Sequence, residues 1–255
     1  VILNGVSHED GIDLMPDEFY TRLAVPGTIA QTSAPSPARY QAAFSSVSET
    51  DVLCVTLSAK LSATYDVARA AIQTLQTCSD DQRIHLLDSS TAGGAEALIV
   101  LAAARAAAEG QALEQVTAVA ERVAARVYFI GVLESLKHLQ QGGRVPRVAA
   151  WAASLLNIKP VLAIFPGEGE VRMLERPRSK PKAIERVLEV IERESEGKPI
   201  HIVVMHAALP EEAESLSTRI NDRLVCIEML TTAFTPVIGA HTGPGLLGVA
   251  FYADE

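Results

Sequence analysis

The segment Asp51-Val-Leu-Cys-Val-Thr-Leu57 indicates the fold class, because it is a short apolar run of the kind found in buried parallel strands. Residues 64–76 follow it with apolar side chains at helical spacing, and Ile84-His-Leu-Leu-Asp88 forms a second strand-like run. A strand, a helix and a strand in this order predict a βαβ unit whose two strands lie parallel in one sheet.

The same alternation continues after this unit. An alanine-rich helix is predicted to begin at Gly93-Gly94 and to end at Gly110, and another helix precedes the strand Val127–Leu133. Alternating strands and helices predict a parallel sheet that is covered on both faces. We therefore interpret residues 1–145 as an N-terminal α/β lobe.

The pattern changes after Arg144. The apolar runs Ile158–Phe165 and Val171–Leu174 are separated by a Gly-Glu-Gly-Glu turn, which predicts a hairpin. An amphipathic helix and further strands and helices follow, so residues 146–255 are interpreted as a C-terminal lobe. The predicted fold class is α/β with two lobes, an N-terminal parallel sheet flanked by helices and a C-terminal mixed sheet with helices.

The composition argues against several classes of protein. The chain has 255 residues and a net charge of −9, which disfavours binding to nucleic-acid phosphates. No apolar run approaches the roughly 18 residues of a membrane span, and no signal peptide precedes the fold, although the sequence starts at Val1 as though inside a domain. The three widely spaced cysteines favour free thiols. We predict a cytoplasmic protein without integral membrane association.

Two clusters of hydroxyl side chains precede predicted helices. Thr32 and Ser33 lie before the helix that begins at Ser36-Pro37, and Ser62 lies in the polar loop that follows the strand 51–57. Hydroxyl and amide donors converge with the helix dipole at such places, which suits them to an anion. Capping of the helix is the structural alternative for Ser36 and Ser62.

His241 is the other candidate for contact with a ligand. The run Pro236-Val-Ile238 predicts a strand, and Gly243-Pro-Gly245 continues neither a helix nor a ladder. The sequence therefore predicts that His241 lies at a loop tip beside exposed backbone N–H groups, where a polar ligand head would be bound. A structural turn histidine is the alternative.

Three further polar positions have a functional and a structural interpretation. Asp88 ends its strand and is predicted to orient a hydroxyl or to cap the helix at Gly93. Arg144 follows Gly142-Gly143, which is interpreted as a helix C-cap at Gly142, and Arg178 lies in a basic segment. Both arginines are either surface charges or contacts for a small anionic group or a partner.

Known catalytic motifs are missing from the sequence. It contains no glycine-rich nucleotide loop, nucleophile elbow or zinc motif. His201 and His206 are predicted on opposite faces of one strand, which argues against a shared metal ion. We predict neither a metal site nor a cofactor.

Five short motifs stand in order along the chain, together with an acidic and an aromatic segment near its start. They are Thr32-Ser33-x-Pro35-Ser36, Leu57-Ser58-x-x-Leu61-Ser62-x-Thr64-Tyr65, Leu136-x-x-Leu139-x-x-Gly142-Gly143-Arg144, Ile158-Lys159-Pro160 and Gly239-x-His241-x-Gly243-Pro244-Gly245, with Asp10-Gly11-Ile12-Asp13 and Phe19-Tyr20. Together they resemble the DegV family of bacterial fatty-acid-binding proteins over essentially the whole chain.

The resemblance implies a two-lobed α/β protein that holds one fatty acid, with the carboxylate near the lobe interface and the tail in an apolar tunnel. It also implies a carrier without turnover of its own, which presents the carboxylate to a separate ATP-dependent fatty acid kinase for acyl phosphate formation. The Asp-Ser-rich first strand typical of the family is not present in this sequence, so the N-terminal lobe is expected to lack it.

By position in these motifs, the carboxylate is expected to bind Thr32 or Ser33 together with Ser62 and His241. Arg178, and Arg144 with it, are expected to contact the phosphorylated head or the kinase. Ser179 and Pro181 depart from the family's basic segment, which weakens the expectation of kinase coupling more than that of lipid binding.

Two other functions remain open from the sequence. One is a hydrolase or acyltransferase that uses Ser62 or Ser33 with His241 and Asp88, although the absent nucleophile elbow argues against it. The other is a regulatory or structural relative whose pocket has closed.

Overall fold

A computed structural model describes residues 1–77, 82–143 and 158–254. They divide into two compact units. Unit 1 comprises Val1–Ser33, Tyr128–Ile164 and Val171–Glu255, and unit 2 comprises Ala34–Val127 and Phe165–Glu170. These bounds differ from the predicted boundary after residue 145, because the strand at residues 128–132 pairs with the strand at residues 247–253.

Unit 2 is built on the predicted βαβ segment. Its elements are α2 (Pro37–Ser46), β4 (Asp51–Thr56), α3 (Thr64–Gln76), β5 (Arg83–Asp88), α4 (Gly94–Ala108) and α5 (Leu113–Ala124), numbered with those of unit 1 in chain order. The strands β4 and β5 pair in parallel, in a register that joins Asp51 to Arg83 and Thr56 to Asp88. The βαβ prediction is confirmed.

The helices of unit 2 bury the faces that their apolar spacing predicts. In α3 the buried side chains include Ala68, Ala71 and Ile72, which follow the three- and four-residue spacing of one helix face. The small residues of α4 pack closely against α5. The carboxyl ends of β4 and β5 consequently lie beside the loops that lead into α3 and α4, where the hydroxyl side chains are concentrated.

The described residues of unit 1 form two sheets. Its elements are β1 (Ile2–Leu3), β2 (Val6–Ser7), α1 (Pro16–Leu23), β3 (Ala30–Gln31), β6 (Tyr128–Val132), α6 (Lys137–Gly142), β7 (Val161–Ile164), β8 (Arg172–Glu175), α7 (Lys180–Ser195), β9 (Ile200–His206), α8 (Pro210–Asn221), β10 (Cys226–Ala233), α9 (Pro236–Thr242) and β11 (Leu247–Ala253). The small sheet has the order β2-β1-β3, and the mixed sheet has the order β10-β9-β11-β6-β7-β8.

The mixed sheet departs from the prediction at one strand. β6 was expected to extend the parallel sheet of the N-terminal lobe, but it lies antiparallel between β11 and β7. An apolar strand has the same sequence pattern in either sheet, so the pattern does not select the partner. The hairpin of β7 and β8 is confirmed by their antiparallel pairing.

Helices cover the mixed sheet. The helix α7 packs against β6 and β11 and buries Val187, Leu188 and Ile191, and α8 packs against β9 and β10. In the part of the chain that the structure describes, no helix is both long enough and apolar enough to span a bilayer.

Candidate functional site

His241 lies on a helix and not at a loop tip, so that prediction is wrong. Thr235 precedes the helix α9 in an extended conformation, Pro236 stands in its first turn, and Gly243 ends it with φ +74°. A proline in the first turn is already in a helical φ, so the β-branched residues after it can continue as a helix. The imidazole is therefore presented from the last turn of α9, within unit 1.

His241 contacts Thr32, which was also predicted as a carboxylate ligand. Its Nε2 lies 2.8 Å from the hydroxyl oxygen of Thr32, and both side chains are half-buried. The tautomer of the ring decides which of the two groups donates. Thr32 directly follows β3, which pairs antiparallel with β1. Ser33, the next residue, is exposed.

Glycines allow α6 to approach the histidine. A Cβ on Gly142 would lie 2.7 Å from Nδ1 of His241, so only a glycine fits at this point of contact. The helix C-cap is Gly143, with φ +66°, and not Gly142 as predicted. A Cβ on Gly243 would likewise lie 2.2 Å from the ring of His138. Both glycine motifs therefore serve the packing of α6 against α9.

Aromatic side chains of α1 support the other side of α9. A Cβ on Gly239 would lie 2.6 Å from Phe19 and 2.7 Å from the hydroxyl of Tyr20. This hydroxyl donates a hydrogen bond to the carbonyl oxygen of Phe234 at 3.1 Å. Burial, with a smaller contribution from Asp10, raises the pKa of Tyr20 and keeps the hydroxyl a donor.

Asp10 contacts the first turn of the same helix. Its carboxylate accepts a hydrogen bond from the backbone N–H of Val237 at 3.4 Å, which satisfies an otherwise unpaired helix N–H. The sequence singled out Asp10, Phe19 and Tyr20 only as part of the resemblance. Their role in supporting α9 was not predicted, and no local signal in the sequence reports a contact between such distant segments.

Ser62 lies in unit 2, in the loop of residues 57–64, which we call the hydroxyl loop. Its oxygen lies 2.7 Å from the hydroxyl of Thr64 and accepts a hydrogen bond from the N–H of Thr64 at 3.2 Å. Ser62 therefore contacts the start of α3, as the capping alternative expected, and its side chain stays half-buried. Ser36 also accepts a hydrogen bond at the start of its helix, from the N–H of Arg39.

Asp88 has a different role from either predicted one. Its carboxylate accepts hydrogen bonds from the N–H groups of Ser90 at 2.8 Å and Ala59 at 3.3 Å. It thus joins the loop after β5 to the hydroxyl loop. A carboxylate engaged with two backbone groups in this way is a structural element of unit 2.

A half-buried carboxyl, that of Glu96, lies at the start of α4. Burial, and secondarily the charge of Asp88, raise the pKa of Glu96 to about 7. Burial, and secondarily Glu96, raise the pKa of the Cys54 thiol to about 11. Cys54 is therefore a protonated, free thiol at neutral pH, and Cys226 is also free.

Of the two arginines predicted to contact an anion or a partner, only Arg178 lies within the described residues. Arg178 is exposed in the segment between β8 and α7, and the N–H of Lys159 donates to the carbonyl oxygen of Pro177 beside it at 2.7 Å. Arg144 lies outside the described residues. Within the described ranges, no group of three or more His, Cys, Asp or Glu side chains is placed to hold a metal ion.

Comparison with known proteins decides the family. Residues 1–254 match the profile of a family described as uncharacterised proteins of the DegV family. The chain belongs to the DegV family. A DegV domain-containing protein of Clostridium perfringens is 30% identical over all of this chain and 89% of its own length, and one of Streptomyces coelicolor is 32% identical over 86% of this chain and 76% of its own.

Solved structures of DegV proteins share the fold. A DegV family protein of Thermus thermophilus, described by its fatty acid binding, superposes with a TM-score of 0.89 at 30% identity, and the match covers 99% of this chain and 89% of that one. DegV of Bacillus subtilis, described as a fatty acid binding protein, gives a TM-score of 0.85 at 27% identity over 99% and 89% of the two chains. The predicted α/β fold class is confirmed.

Proposed function

We propose that this chain binds a long-chain fatty acid. The carboxylate would be held by Thr32 or Ser33 together with Ser62 and His241, and the tail would lie in an apolar tunnel. The observation that carries the proposal is the contact between Thr32 and His241 at 2.8 Å, which joins two of the predicted carboxylate ligands from distant parts of unit 1. The fatty acid binding of the Thermus and Bacillus relatives supports it.

The chemistry of these side chains suits a carboxylate. An ionised carboxylate that leaves water needs several hydrogen-bond donors, and hydroxyls and an imidazole can supply them. Hydrogen bonds to an ionised acceptor are about twice as strong as neutral ones. Because no permanent positive charge is among these ligands, release of the carboxylate stays feasible.

The tail would supply most of the affinity. Burial of about a dozen methylenes at roughly 0.8 kcal/mol each gives about 10 kcal/mol before the cost of association. The head group then chiefly sets orientation and selects an acid over other polar heads.

The proposal extends to the use of the bound lipid. The chain would act in the cytoplasm as a carrier without turnover, and would present the carboxylate to a separate fatty acid kinase that makes the acyl phosphate. Arg178 is exposed and available for the phosphorylated head or the kinase surface. Arg144 is assigned the same role by the resemblance.

Binding is tested with delipidated protein and oleate. Native mass spectrometry of the protein from cells is expected to show one fatty acid per chain, and the double variant His241→Ala with Ser62→Ala is expected to weaken oleate binding at least tenfold. His85→Ala, which removes an exposed histidine, is the control and should bind as the unaltered chain does. An unaltered protein that is isolated empty and ignores added oleate would contradict the proposal.

Presentation to a kinase is tested separately. With ATP and a bacterial fatty acid kinase, Arg178→Ala is expected to slow acyl phosphate formation while its affinity for oleate stays unchanged. Arg69→Ala, which removes an exposed arginine of unit 2, serves as the control. Equal rates for both variants would remove Arg178 from the proposal and leave lipid binding intact.

A burst assay on the same protein distinguishes a carrier from a hydrolase. An activated acyl ester should give no burst of released alcohol if the chain is only a carrier, and a burst that disappears in Ser62→Ala or Ser33→Ala would establish the enzymatic alternative.

A further inference from the structure

Ser58 is a buried serine at the start of the hydroxyl loop. Its side chain is fully enclosed, with 0% exposure. The hydroxyl donates a hydrogen bond to the carbonyl oxygen of Gly169 at 2.6 Å and accepts one from the N–H of Lys60 at 3.2 Å. A hydroxyl with both functions engaged fixes the backbone on either side of it.

Three loops of unit 2 meet at Ser58. The N–H of Ser58 donates to the carbonyl oxygen of Thr91 at 2.8 Å, which joins the hydroxyl loop to the loop after β5. The side chain of Lys60 donates to the carbonyl oxygen of Glu168 at 2.6 Å, beside the bond from Ser58 to Gly169. Residues 167–170 are the Gly-Glu-Gly-Glu turn, so this turn is held against the hydroxyl loop at two adjacent carbonyls.

The turn can reach Ser58 only with a glycine at position 169. Gly169 is buried with φ +69°, and a Cβ there would lie 2.8 Å from the hydroxyl oxygen of Ser58. Both the backbone conformation and the space exclude a side chain. The close approach of the two loops therefore requires both the serine at position 58 and the glycine at position 169.

Ser58 is directly linked to Ser62. The N–H of Ser62 donates to the carbonyl oxygen of Ser58 at 3.2 Å, and the N–H of Leu61 donates to the same oxygen at 3.0 Å. A shift of Ser58 would consequently displace the amide and hydroxyl of Ser62. This matters most for a head group that must meet several donors at once, because small displacements weaken directed hydrogen bonds steeply.

We propose that Ser58 is a positioning residue for carboxylate recognition, which acts by holding Ser62 through its bond to the Gly169 carbonyl. The inference rests on the proposed function. It assigns to Ser58 and the Gly-Glu-Gly-Glu turn the selection of a fatty acid over a lipid with the same tail and an uncharged head.

The test is the ratio of two affinities, those for oleate and for oleyl alcohol, measured with delipidated protein. General damage to the fold lowers the affinity for both ligands alike, whereas misplacement of Ser62 lowers the affinity for oleate alone. Ser58→Ala is expected to lower the preference for oleate about tenfold, and Gly169→Ala to lower it similarly. Ser195→Ala is the matched control, because Ser195 is an equally buried serine of unit 1 whose hydroxyl also donates to a backbone carbonyl.

The variant Ser62→Ala separates the two proposals. A lower preference in Ser62→Ala together with an unchanged preference in Ser58→Ala and Gly169→Ala would overturn the positioning role alone. An unaltered chain that binds neither lipid, or an unchanged preference in Ser62→Ala, would overturn the proposed function and the inference with it. If Ser58→Ala does not fold, Gly169→Ala decides by the same ratio.

Discussion

The surroundings of His241 in unit 1 and of Ser62 in unit 2 are built by different means. His241 is held in place by close packing, since α6 and α1 approach α9 at glycines where no side chain fits. Ser62 is held by hydrogen bonds between loops, through Ser58, Asp88 and the Gly-Glu-Gly-Glu turn.

His241 and Ser62 should therefore tolerate different kinds of substitution. Packed interiors respond to added volume, because neighbouring atoms have nowhere to move. Hydrogen-bonded loops respond to the loss of a single donor or acceptor, because the partner is left buried and unsatisfied. The histidine should therefore be sensitive to added methyl groups, and the serine to removed polar atoms and to changes of charge.

The largest effect is expected from an added methyl group on α9. Gly239→Ala would place a Cβ 2.6 Å from Phe19 and should lower the free energy of unfolding by about 3 kcal/mol. Urea denaturation measures this. Gly27→Ala is the control, because a Cβ there meets no atom within 4 Å and only the strain of φ +88° remains, about 1 kcal/mol. Equal losses in the two variants would refute packing as the means of support.

Ionisation of Glu96 should make the stability of unit 2 depend on pH. Because the pKa of Glu96 is raised to about 7, the folded state binds this proton more tightly than the unfolded state. Its contribution to stability is complete below pH 4.5 and is lost as the pH rises through about 7. The shift corresponds to at most about 3 kcal/mol, and partial exposure reduces this to about 2 kcal/mol.

The variant Glu96→Gln should remove this pH dependence. Denaturation at pH 5 and pH 8 should show a gain relative to the unaltered chain at pH 8 and little change at pH 5. Glu121→Gln, an exposed position on α5, provides the control. A gain of the same size at both pH values would mean that the carboxyl is charged throughout this range, and no gain at either would mean that it stays neutral; either result contradicts the prediction.

Two adjacent glycines, Gly142 and Gly143, test the packing around His241 at the proposed carboxylate site. Gly142→Ala would place a Cβ 2.7 Å from the ring of His241 and should displace it from Thr32, which lowers the affinity for oleate about tenfold. Gly143→Ala meets no atom within 4 Å and should cost stability through its φ of +66° without a change in affinity. Calorimetric titration with oleate compares the two variants. Equal affinities would show that the packing of α6 against His241 does not affect binding.

The smallest effect is expected from Tyr20→Phe, which removes one polar atom from the packed region. Loss of the hydrogen bond to the carbonyl oxygen of Phe234 should cost about 1 kcal/mol of unfolding free energy. Tyr65→Phe in unit 2 is the control, and urea denaturation again provides the measurement. No loss in Tyr20→Phe would show that the ring alone supports α9.

Much of the fold could be predicted from local pattern. The strands β4 and β5 and the helix between them lie where the apolar spacing placed them, because each of these elements buries one continuous run or one helix face. β6 was correctly predicted as a strand but assigned to the wrong sheet, since an apolar run does not identify its partner. The helix α9 was not predicted because Val237 and Ile238 favour a strand, although Pro236 before them also suits the first turn of a helix.

The candidate site was predictable as a set of residue types and not as an arrangement. Thr32 and His241 were singled out separately, and their contact depends on the packing of β3 and α9 within unit 1. The motif containing Gly142 pointed to this region, but the reason for the glycine is a ring that lies far away in the sequence. The motif of residues 57–65 contains Ser58, but its role could not be predicted, because a buried serine and an exposed one look the same in sequence.

The position of β11 has a consequence for how the protein is made. This strand lies between β9 and β6, yet it is the last element of the described chain to leave the ribosome. Until residues 247–253 are available, β9 and β10 on one side and β6, β7 and β8 on the other have no strand to join them. Most of unit 2, in contrast, is one continuous stretch that can fold early during synthesis. Protease resistance of chains stalled before residue 247 should therefore be confined to unit 2, and resistant fragments from the mixed sheet would disprove this order of folding.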